Sequence, residues 1–484
     1  TVDRNAAIDI VGGAVTTLNL TSGADITDTG PITVSNGLTA TGDANGAAIT
    51  LDQIDVTGGT VALSTTDSNA TIDNDSAIVF GASGVGANLS ATTAAGDITQ
   101  AGAVTATGTA TFNSAADITL NDGGNSFGDL TVTGGIVEIT EADAITDGGA
   151  WTTGATTLNA GGNDIDLDEA LSTTGALDLT GGTATVDRDA AVEIVGGAVT
   201  TLNLISGAGI TDTGPITVSN GLTATGDANG AAITLDQIDV TGGTVALSTT
   251  DSNATIDNAS AIEFAGSNVG NNLTATAGGQ ISQSGALTVG GTADFTVADA
   301  TDVLLHTEAN DIAGDPSFAA SGLGTIANLR YRNTNATATL PAVGTVTTDV
   351  EIIFNNAAVD LPAMTIGGDL DVTAGGNITD GGDVSVAGAG IFDAGANDVV
   401  LGDTTTADFG NLTVTGGIVQ ITEADAITDG GAWTTGATTL NAGGNDIDLN
   451  EAGSTTGALD LTGVTVTVDR NAAIDIVGGA VTTL

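Results

Sequence analysis

Long internal repeats constrain this sequence more than any other feature. Residues 1–80 recur at 185–264 with seven differences, and residues 128–202 recur at 410–484 with nine. Repetition on this scale is typical of solenoids and arrays, in which each unit buries its apolar face against its neighbours. The repeats therefore argue against a globular enzyme built around one large core.

A longer period contains both duplications. The stretch TVDRNAAIDIVGGAVTTL occupies residues 1–18 and returns unchanged at 467–484, which is a step of 466 residues. We expect either a fragment of a tandem array or a subunit that continues into its neighbour. Within residues 1–484 we expect a single continuous solenoid.

A short motif recurs inside the long period. It reads Ile, Thr or Ser, Asp or Gln, a small residue and Gly, and it begins at Ile26, Ile98, Ile145, Ile210, Ile281, Ile378 and Ile427. The pattern predicts a strand with its Ile facing inward and a polar step facing outward, followed by a Gly at the corner and a second strand.

The spacing of this motif predicts the coil. Most spacings divide into steps of roughly 22 to 24 residues, and short strands of Val, Ile, Leu and Thr between Gly and Asn corners are typical of a parallel β-helix. We therefore predict an all-β solenoid of roughly 20 coils stacked ~4.8 Å apart. Two roles are open for the Asn of the recurring TTLN steps, corner ladders or solvent-facing positions, at Asn19, Asn159, Asn203 and Asn441.

Several longer phrases recur as well, namely LTVTGG, AITDGG, NAGGNDIDL and ITDTGPITVSNGLTATG. In these phrases most of the chain resembles the giant β-strand-repeat exoproteins related to filamentous haemagglutinin, which are secreted bacterial adhesins and fibres. The resemblance implies a solenoid at the cell surface or outside the cell. It implies no catalytic residues.

The charge of the chain limits its partners. Asp and Glu total 59 against five Arg and no Lys, for a net charge of −54. Over ~100 Å of stacked coils this is about one net charge per ~2 Å, close to duplex DNA, so nucleic acids and anionic lipid surfaces should be repelled. No apolar run approaches the ~20 residues of a membrane-spanning helix. The acidity suggests a saline or calcium-containing exterior, although Asp is also a common turn former.

The stretch NDIDLDEA is the sharpest candidate site. On a strand its alternate carboxylates share one face, and calcium favours six to eight oxygen ligands. A solvated acidic face is the alternative. The candidate calcium ligands are Asp164, Asp166, Asp168 and Glu169, with Asp446, Asp448 and Glu451 in the second copy, where Asn450 replaces Asp168.

Residues 298–365 depart from the repeat style. They hold the only His, Tyr and Met of the chain, and NLRYRNTN brings Arg330, Tyr331 and Arg332 together. One interpretation is a contact patch, in which the arginines meet an acidic partner or Tyr331 stacks on a sugar. The other is a divergent coil whose basic residues neutralise nearby Asp. His306 has no neighbouring nucleophile or second metal ligand, and so indicates no active site.

Two other recurring residue types receive structural interpretations. Trp151 and Trp433 occupy positions where other coils carry Ile, Val or Leu, which predicts core residues. The arginine of each TVDR step lies next to Asp, which predicts a local charge partner.

Three classes of function remain. The first is a structural fibre or adhesin stalk that associates with itself, end to end or in lateral bundles, and with cell-surface glycans. The second is a module that binds carbohydrate or ice through outer Thr rows such as Thr105, Thr107, Thr109 and Thr111. The third, a polysaccharide-degrading enzyme, is disfavoured because no Lys, His or Arg accompanies a recurring Asp cluster. We therefore expect a non-enzymatic structural protein.

Overall fold

The computed structural model describes residues 1–484 and contains 57 β-strands and no helix. The chain is an all-β parallel β-solenoid of about 24 turns. The predicted fold class is confirmed, and the predicted number of roughly 20 coils is too low. No helix in the structure is long and apolar enough to span a membrane.

The turns are shorter than the motif spacing indicated. Ala70 pairs with Leu89 nineteen residues later, and Leu89 pairs with Ala110 twenty-one residues later. The longest step shown by these pairings runs from Val303 to Leu329. The prediction of 22–24 residues per coil is wrong for most turns, because Ile26 and Ile98 belong to different columns of paired residues and their spacing is therefore not a whole number of turns.

The turns form two compact units, Thr1–Gly242 and Gly243–Leu484. The strands of the first unit, β1 to β29 in chain order, are Val2–Arg4, Ile8–Ile10, Gly13–Val15, Leu18–Ser22, Ile26–Asp28, Ile32–Val34, Leu38–Gly42, Ile49–Val56, Val61–Thr65, Ala70–Asn74, Ile78–Phe80, Ser83–Val85, Leu89–Thr93, Ile98–Gln100, Val104–Ser114, Ile118–Leu120, Ser126–Gly134, Val137–Thr140, Ile145–Thr146, Thr152–Thr153, Thr156–Asn159, Ile165–Leu167, Leu177–Arg188, Val192–Ser206, Gly209–Asp212, Ile216–Val218, Gly221–Gly226, Ala232–Leu235 and Ile238–Val240.

The strands of the second unit, β30 to β57, are Thr244–Thr249, Ala254–Asn258, Ile262–Phe264, Ser267–Val269, Leu273–Ala277, Ile281–Gln283, Leu287–Val289, Ala293–Val297, Thr301–Leu305, Asp311–Ile312, Pro316–Ala320, Ile326–Asn333, Gly344–Val346, Val350–Phe354, Val359–Leu361, Met364–Ile366, Leu370–Ala374, Ile378–Asp380, Val384–Asp393, Val399–Leu401, Ala407–Gly416, Val419–Thr422, Ile427–Thr428, Thr434–Thr435, Thr438–Asn441, Ile447–Leu449, Leu459–Val468 and Ile476–Thr483.

Parallel pairing stacks each apolar residue on an equivalent one in the next turn. Leu89 pairs with Ala110 and Ala110 with Leu130, and all three side chains are buried. Because successive residues of a strand face opposite sides, the intervening Thr and Ser face outward. The inward position of the motif Ile is confirmed at all seven sites, where it is fully buried.

The glycine that closes the motif allows two turns to approach closely. A Cβ atom added at Gly30 would collide with the carbonyl oxygen of Val11 in the preceding turn, and one added at Gly214 would collide with that of Val195. The predicted corner role of this glycine is therefore explained by backbone contact between turns.

Ladders of Asp and Asn side chains join the corners of successive turns. The Asn69 side-chain oxygen accepts the backbone N–H of Asn88, and the Asn88 oxygen accepts that of Thr109. Two of the four TTLN asparagines form a different kind of hydrogen bond. Asn159 and Asn441 instead accept the N–H two residues further on, in local turns.

Both tryptophans are core residues, as predicted. Trp151 and Trp433 are fully buried. Their Nε1–H groups donate to the backbone oxygens of Leu130 and Leu412, at 3.0 and 2.9 Å. The indole N–H is therefore satisfied inside the solenoid, as a buried tryptophan requires.

Candidate functional site

The predicted acidic strand has the expected alternation. Ile165 and Leu167 are fully buried, whereas Asp164, Asp166 and Asp168 lie on the outer face. Partial burial raises the pKa of Asp166, and the neighbouring Asp168 and Asp164 raise it further. The three carboxylates therefore lie close enough to repel one another, as an acidic face or a cation site would require.

Hydrogen bonds to the backbone already involve part of this cluster. Asp164 Oδ1 accepts the N–H of Thr183 in the next turn at 2.7 Å, and the backbone N–H of Glu169 donates to the buried Asp147. The Asp168 side chain is exposed. The first copy thus presents two largely free carboxylates, Asp166 and Asp168, beside one that connects turns.

The second copy repeats this geometry with one carboxylate fewer. Asp446 Oδ1 accepts the N–H of Thr465 at 2.8 Å, and the Asn450 amide donates to Asp448 at 3.3 Å. The backbone N–H of Glu451 donates to the carboxylate of Asp429.

No group of three or more Asp, Glu, His or Cys side chains in the structure has the spacing of a metal site. Calcium binding at the acidic strands remains a prediction. It is tested by titrating the full chain with millimolar calcium in a calorimeter. A saturable heat that is lost in Asp166→Asn would establish the site, and the absence of saturable heat would remove it.

The residues of the predicted contact patch lie on opposite faces of one strand. Arg330 and Arg332 face outward, but Tyr331 is fully buried. Its ring packs against Phe318 and Phe354, with centroids 5.0 and 6.0 Å away. The prediction that Tyr331 could stack on a sugar is wrong, because strand alternation places the residue between two outward arginines inside the core.

The outer part of this region is a mixed-charge groove. Arg330 Nη1 and His306 Nε2 each lie 3.8 Å from Glu351 Oε2. A surface groove of about 250 Å³ beside them is lined by Arg330, Glu351, Asp371 and the half-exposed Ile391, among others. Arg332 instead donates to the Asn355 side chain. The structure thus supports the interpretation that a basic residue neutralises a nearby carboxylate for Arg330, but not for Arg332.

Sequence reasoning missed a set of buried carboxylates at the corners. The Asp at the third position of five motifs faces inward and accepts hydrogen bonds from the following turn. Asp28 accepts the N–H groups of Asp52 and Gln53 at 2.9 and 3.0 Å, and Asp147 accepts those of Asp168 and Glu169. The complete set is Asp28, Asp147, Asp212, Asp380 and Asp429.

Burial of these carboxylates is electrostatically costly. Desolvation raises the pKa of Asp147 to about 6, although two backbone N–H groups and the cationic Arg188 oppose the shift. Arg188 is itself buried, and desolvation lowers its pKa to about 10. Arg188 is therefore an interior charge partner of the corner Asp147, and the half-buried Arg470 lies near Asp429 in the same way, whereas Arg4 is exposed. The alternation of Ile, Thr and Asp in the motif was the signal that could have revealed this inward Asp.

Comparison with known protein families gave one assignment. A family described as repeats of unknown function (DUF5649) matches seven segments of the chain, at residues 1–64, 67–134, 126–180, 181–248, 251–319, 343–407 and 397–462. The chain belongs to the DUF5649 family. No curated protein and no solved structure matched it.

The DUF5649 segments extend over most of both units and leave out the stretch 320–342. That stretch lies within the coils that sequence analysis singled out as divergent, and it contains Arg330, Tyr331 and Arg332. The buried Asp147 and the acidic strand at Asp164 both lie inside matched DUF5649 segments. The five corner aspartates all lie in matched segments, and the mixed-charge groove takes only Arg330 from the unmatched stretch, since its Glu351 and Asp371 belong to the matched segment 343–407.

Proposed function

We propose that this chain is a structural segment of an extracellular fibre or stalk, part of a giant repetitive adhesin that gives length, stiffness and attachment to surfaces. The resemblance to filamentous haemagglutinin-like exoproteins and the membership of a repeat family support the proposal. Its partners would be further copies of the same repeat, arranged end to end or side by side, and glycans of the cell surface.

One structural observation carries this proposal. In the first unit Leu177 pairs with Ile194 and Thr183 with Thr201, and in the second unit the duplicated residues pair in the same register, Leu459 with Ile476 and Thr465 with Thr483. The chain thus builds the same coil twice, down to individual residue pairs. A stalk requires such uniform stacking, whereas a catalytic site requires one special place.

Immunogold electron microscopy of the source cells tests this function. Antibodies against the purified chain should label filaments outside the cell, at intervals set by the 466-residue period. Label confined to the cell interior would contradict the proposal. Label on the cell surface without filaments would contradict the fibre and favour a short adhesin.

A row of outward hydroxyl groups favours a second candidate, a module that binds carbohydrate or ice. Thr71, Ser90, Thr111 and Thr131 pair in register across four successive turns. Every Trp and Tyr side chain is buried, so no aromatic platform for sugars is exposed. Ice-affinity purification of the full chain tests this candidate, and replacement of Thr111 by Lys should abolish retention if it is correct.

A further inference from the structure

Two corners of the solenoid contain the same buried polar stack. In the first unit Asn125 lies between Gln100 and Glu141, and its amide donates to Gln100 Oε1 and to the backbone oxygens of Leu120 and Thr140. In the second unit Asn310 donates in the same way to Gln283 Oε1 and to the backbone oxygens of Leu305 and Arg332.

The residue that follows the asparagine in each stack is different, but it accepts an equivalent hydrogen bond. Glu141 Oε2 accepts the backbone N–H of Phe127, two residues after Asn125, at 3.0 Å. In the second unit Asn333 Oδ1 accepts the backbone N–H of Ile312, two residues after Asn310, at 3.2 Å. A glutamate and a neutral amide thus perform the same task. Both are buried, with Glu141 4% and Asn333 0% exposed.

A second glutamate occupies the corresponding corner of the duplicated segment. Glu423 is 4% exposed, and neither of its carboxylate oxygens has a hydrogen-bond donor. Ala407 takes the place of Asn125, and Asp408 takes the place of Ser126, whose hydroxyl donates to Asp143 in the first copy. Glu423 therefore faces Asp408 and Asp425, and no donor is available to stabilise a third negative charge.

The electrostatics agree with this geometry. Desolvation raises the pKa of Glu141 to about 8, with Asp143 adding to the shift and the Phe127 N–H opposing it. Desolvation also raises the pKa of Glu423 to about 9, with the charges of Asp425 and Asp408 adding to the shift. Burial thus favours the neutral form of both side chains at pH 7, and the neutral Asn333 lies at the equivalent place in the other stack.

We propose that Glu141 and Glu423 form a proton-dependent clasp at two corners of the solenoid, closed when the glutamates are neutral and loosened when the corners open and release their protons. The inference is independent of the proposed function. An exposed glutamate ionises near its ordinary pKa of 4.5, so an opened corner holds no proton above that pH while the closed corner still holds one. Stability of the closed corner therefore falls as pH rises from about 4.5 to about 8 at Glu141 and to about 9 at Glu423.

Amide hydrogen exchange of the full chain tests the clasp. Exchange of the Phe127 amide should be compared with that of the Ile312 amide, because Ile312 is held by Asn333, which does not titrate. The ratio of the two opening constants should rise by up to about tenfold per pH unit between pH 5 and 8 and then level off. A ratio that stays constant over this range would overturn the proposal at Glu141.

Variants identify the group responsible. Glu141→Gln should make the ratio independent of pH while keeping an acceptor for the Phe127 N–H. The matched control is Glu138→Gln, an exposed position where the second copy already has Gln420, and it should keep the wild-type slope. If Glu141→Gln retains the slope, the glutamate is not the clasp.

A measurement on the unaltered chain covers variants that fail to fold. The infrared carbonyl band of protonated carboxyl groups should persist at pH 7, where ordinary carboxylates are ionised, and should disappear by about pH 10. Glu423→Gln should remove part of this band. Absence of the band at pH 7 in the folded native chain would overturn the proposal at both corners.

Discussion

The third residue of the Ile-Thr-Asp motif faces the interior, where its carboxylate holds the next turn. Sequence reasoning predicted the inward Ile and the outward polar step but took the aspartate only as a turn former. Alternation along the strand places it inward, yet a buried carboxylate needs donors, and for Asp28 these come from backbone N–H groups 24 and 25 residues later. A single turn of sequence does not reveal such donors, so the hydrogen bonds of this aspartate could not be predicted, although its inward position could.

Replacing Asp147 by Ala should open the corner at Asp168 and Glu169. Two buried N–H groups would lose their acceptor, and each orphaned donor costs about 1–3 kcal/mol. Hydrogen exchange at these two amides should accelerate accordingly. The control is Asp166→Ala on the outer face, which should change local stability by no more than about 0.5 kcal/mol. Equal effects of the two substitutions would contradict the assigned role of Asp147.

The sequence predicted the type of strand and corner in the solenoid correctly, but not the number of residues in each turn. Short parallel strands, buried isoleucines and glycine corners followed from the repeated motif. Turn length did not, because steps such as Ala70 to Leu89 and Val303 to Leu329 differ with the local loop. The prediction that the Tyr331 side chain is exposed was wrong because it rested on the two basic neighbours. Two outward arginines on a strand require an inward residue between them.

Corner ladders also account for a sequence pattern that resembles glycosylation sites. Asn69 and Asn88 each precede an inward residue and then an outward Thr or Ser, which produces the Asn-x-Thr/Ser pattern. Their side-chain oxygens accept backbone N–H groups of the next turn. The pattern is therefore explained by the ladder and carries no separate indication of glycosylation.

Replacing Asn88 by Ala should destabilise one corner locally. The Thr109 N–H would lose its acceptor, at a cost of about 1 kcal/mol for a partly exposed hydrogen bond. The exchange rate of the Thr109 amide should rise about fivefold, whereas protection of the backbone amide of residue 88, which is held by Asn69, should be unaffected. Unchanged exchange at Thr109 would show that the ladder contributes nothing to the corner.

At the scale of the whole molecule, the most pronounced feature is the net negative charge. The net charge of −54 over about 24 turns gives about two net negative charges per turn. Many of these carboxylates accept backbone N–H groups at the corners, so the acidity is partly structural and cannot be removed without loss of these hydrogen bonds. Nearly all repulsion between them must be screened by the solvent, because only five arginines are present.

Salt should therefore stabilise the folded chain. Raising sodium chloride from about 10 to 150 mM shortens the screening length from ~30 to ~8 Å and reduces repulsion between turns. The thermal unfolding midpoint should rise by several degrees, and by more with magnesium chloride at equal ionic strength. A midpoint that stays constant or falls with salt would contradict this account of the charge.

Electron cryo-microscopy of the purified full chain tests the central claim most directly. The account predicts stacked parallel turns with a ~4.8 Å rise and about 20 residues per turn, as the pairing of Leu18 with Leu38 requires. Density for the Asp147 carboxylate should lie inside the turn, beside the backbone of Asp168 and Glu169. Antiparallel strands, or turns of 22–24 residues that leave Asp147 on the surface, would contradict it.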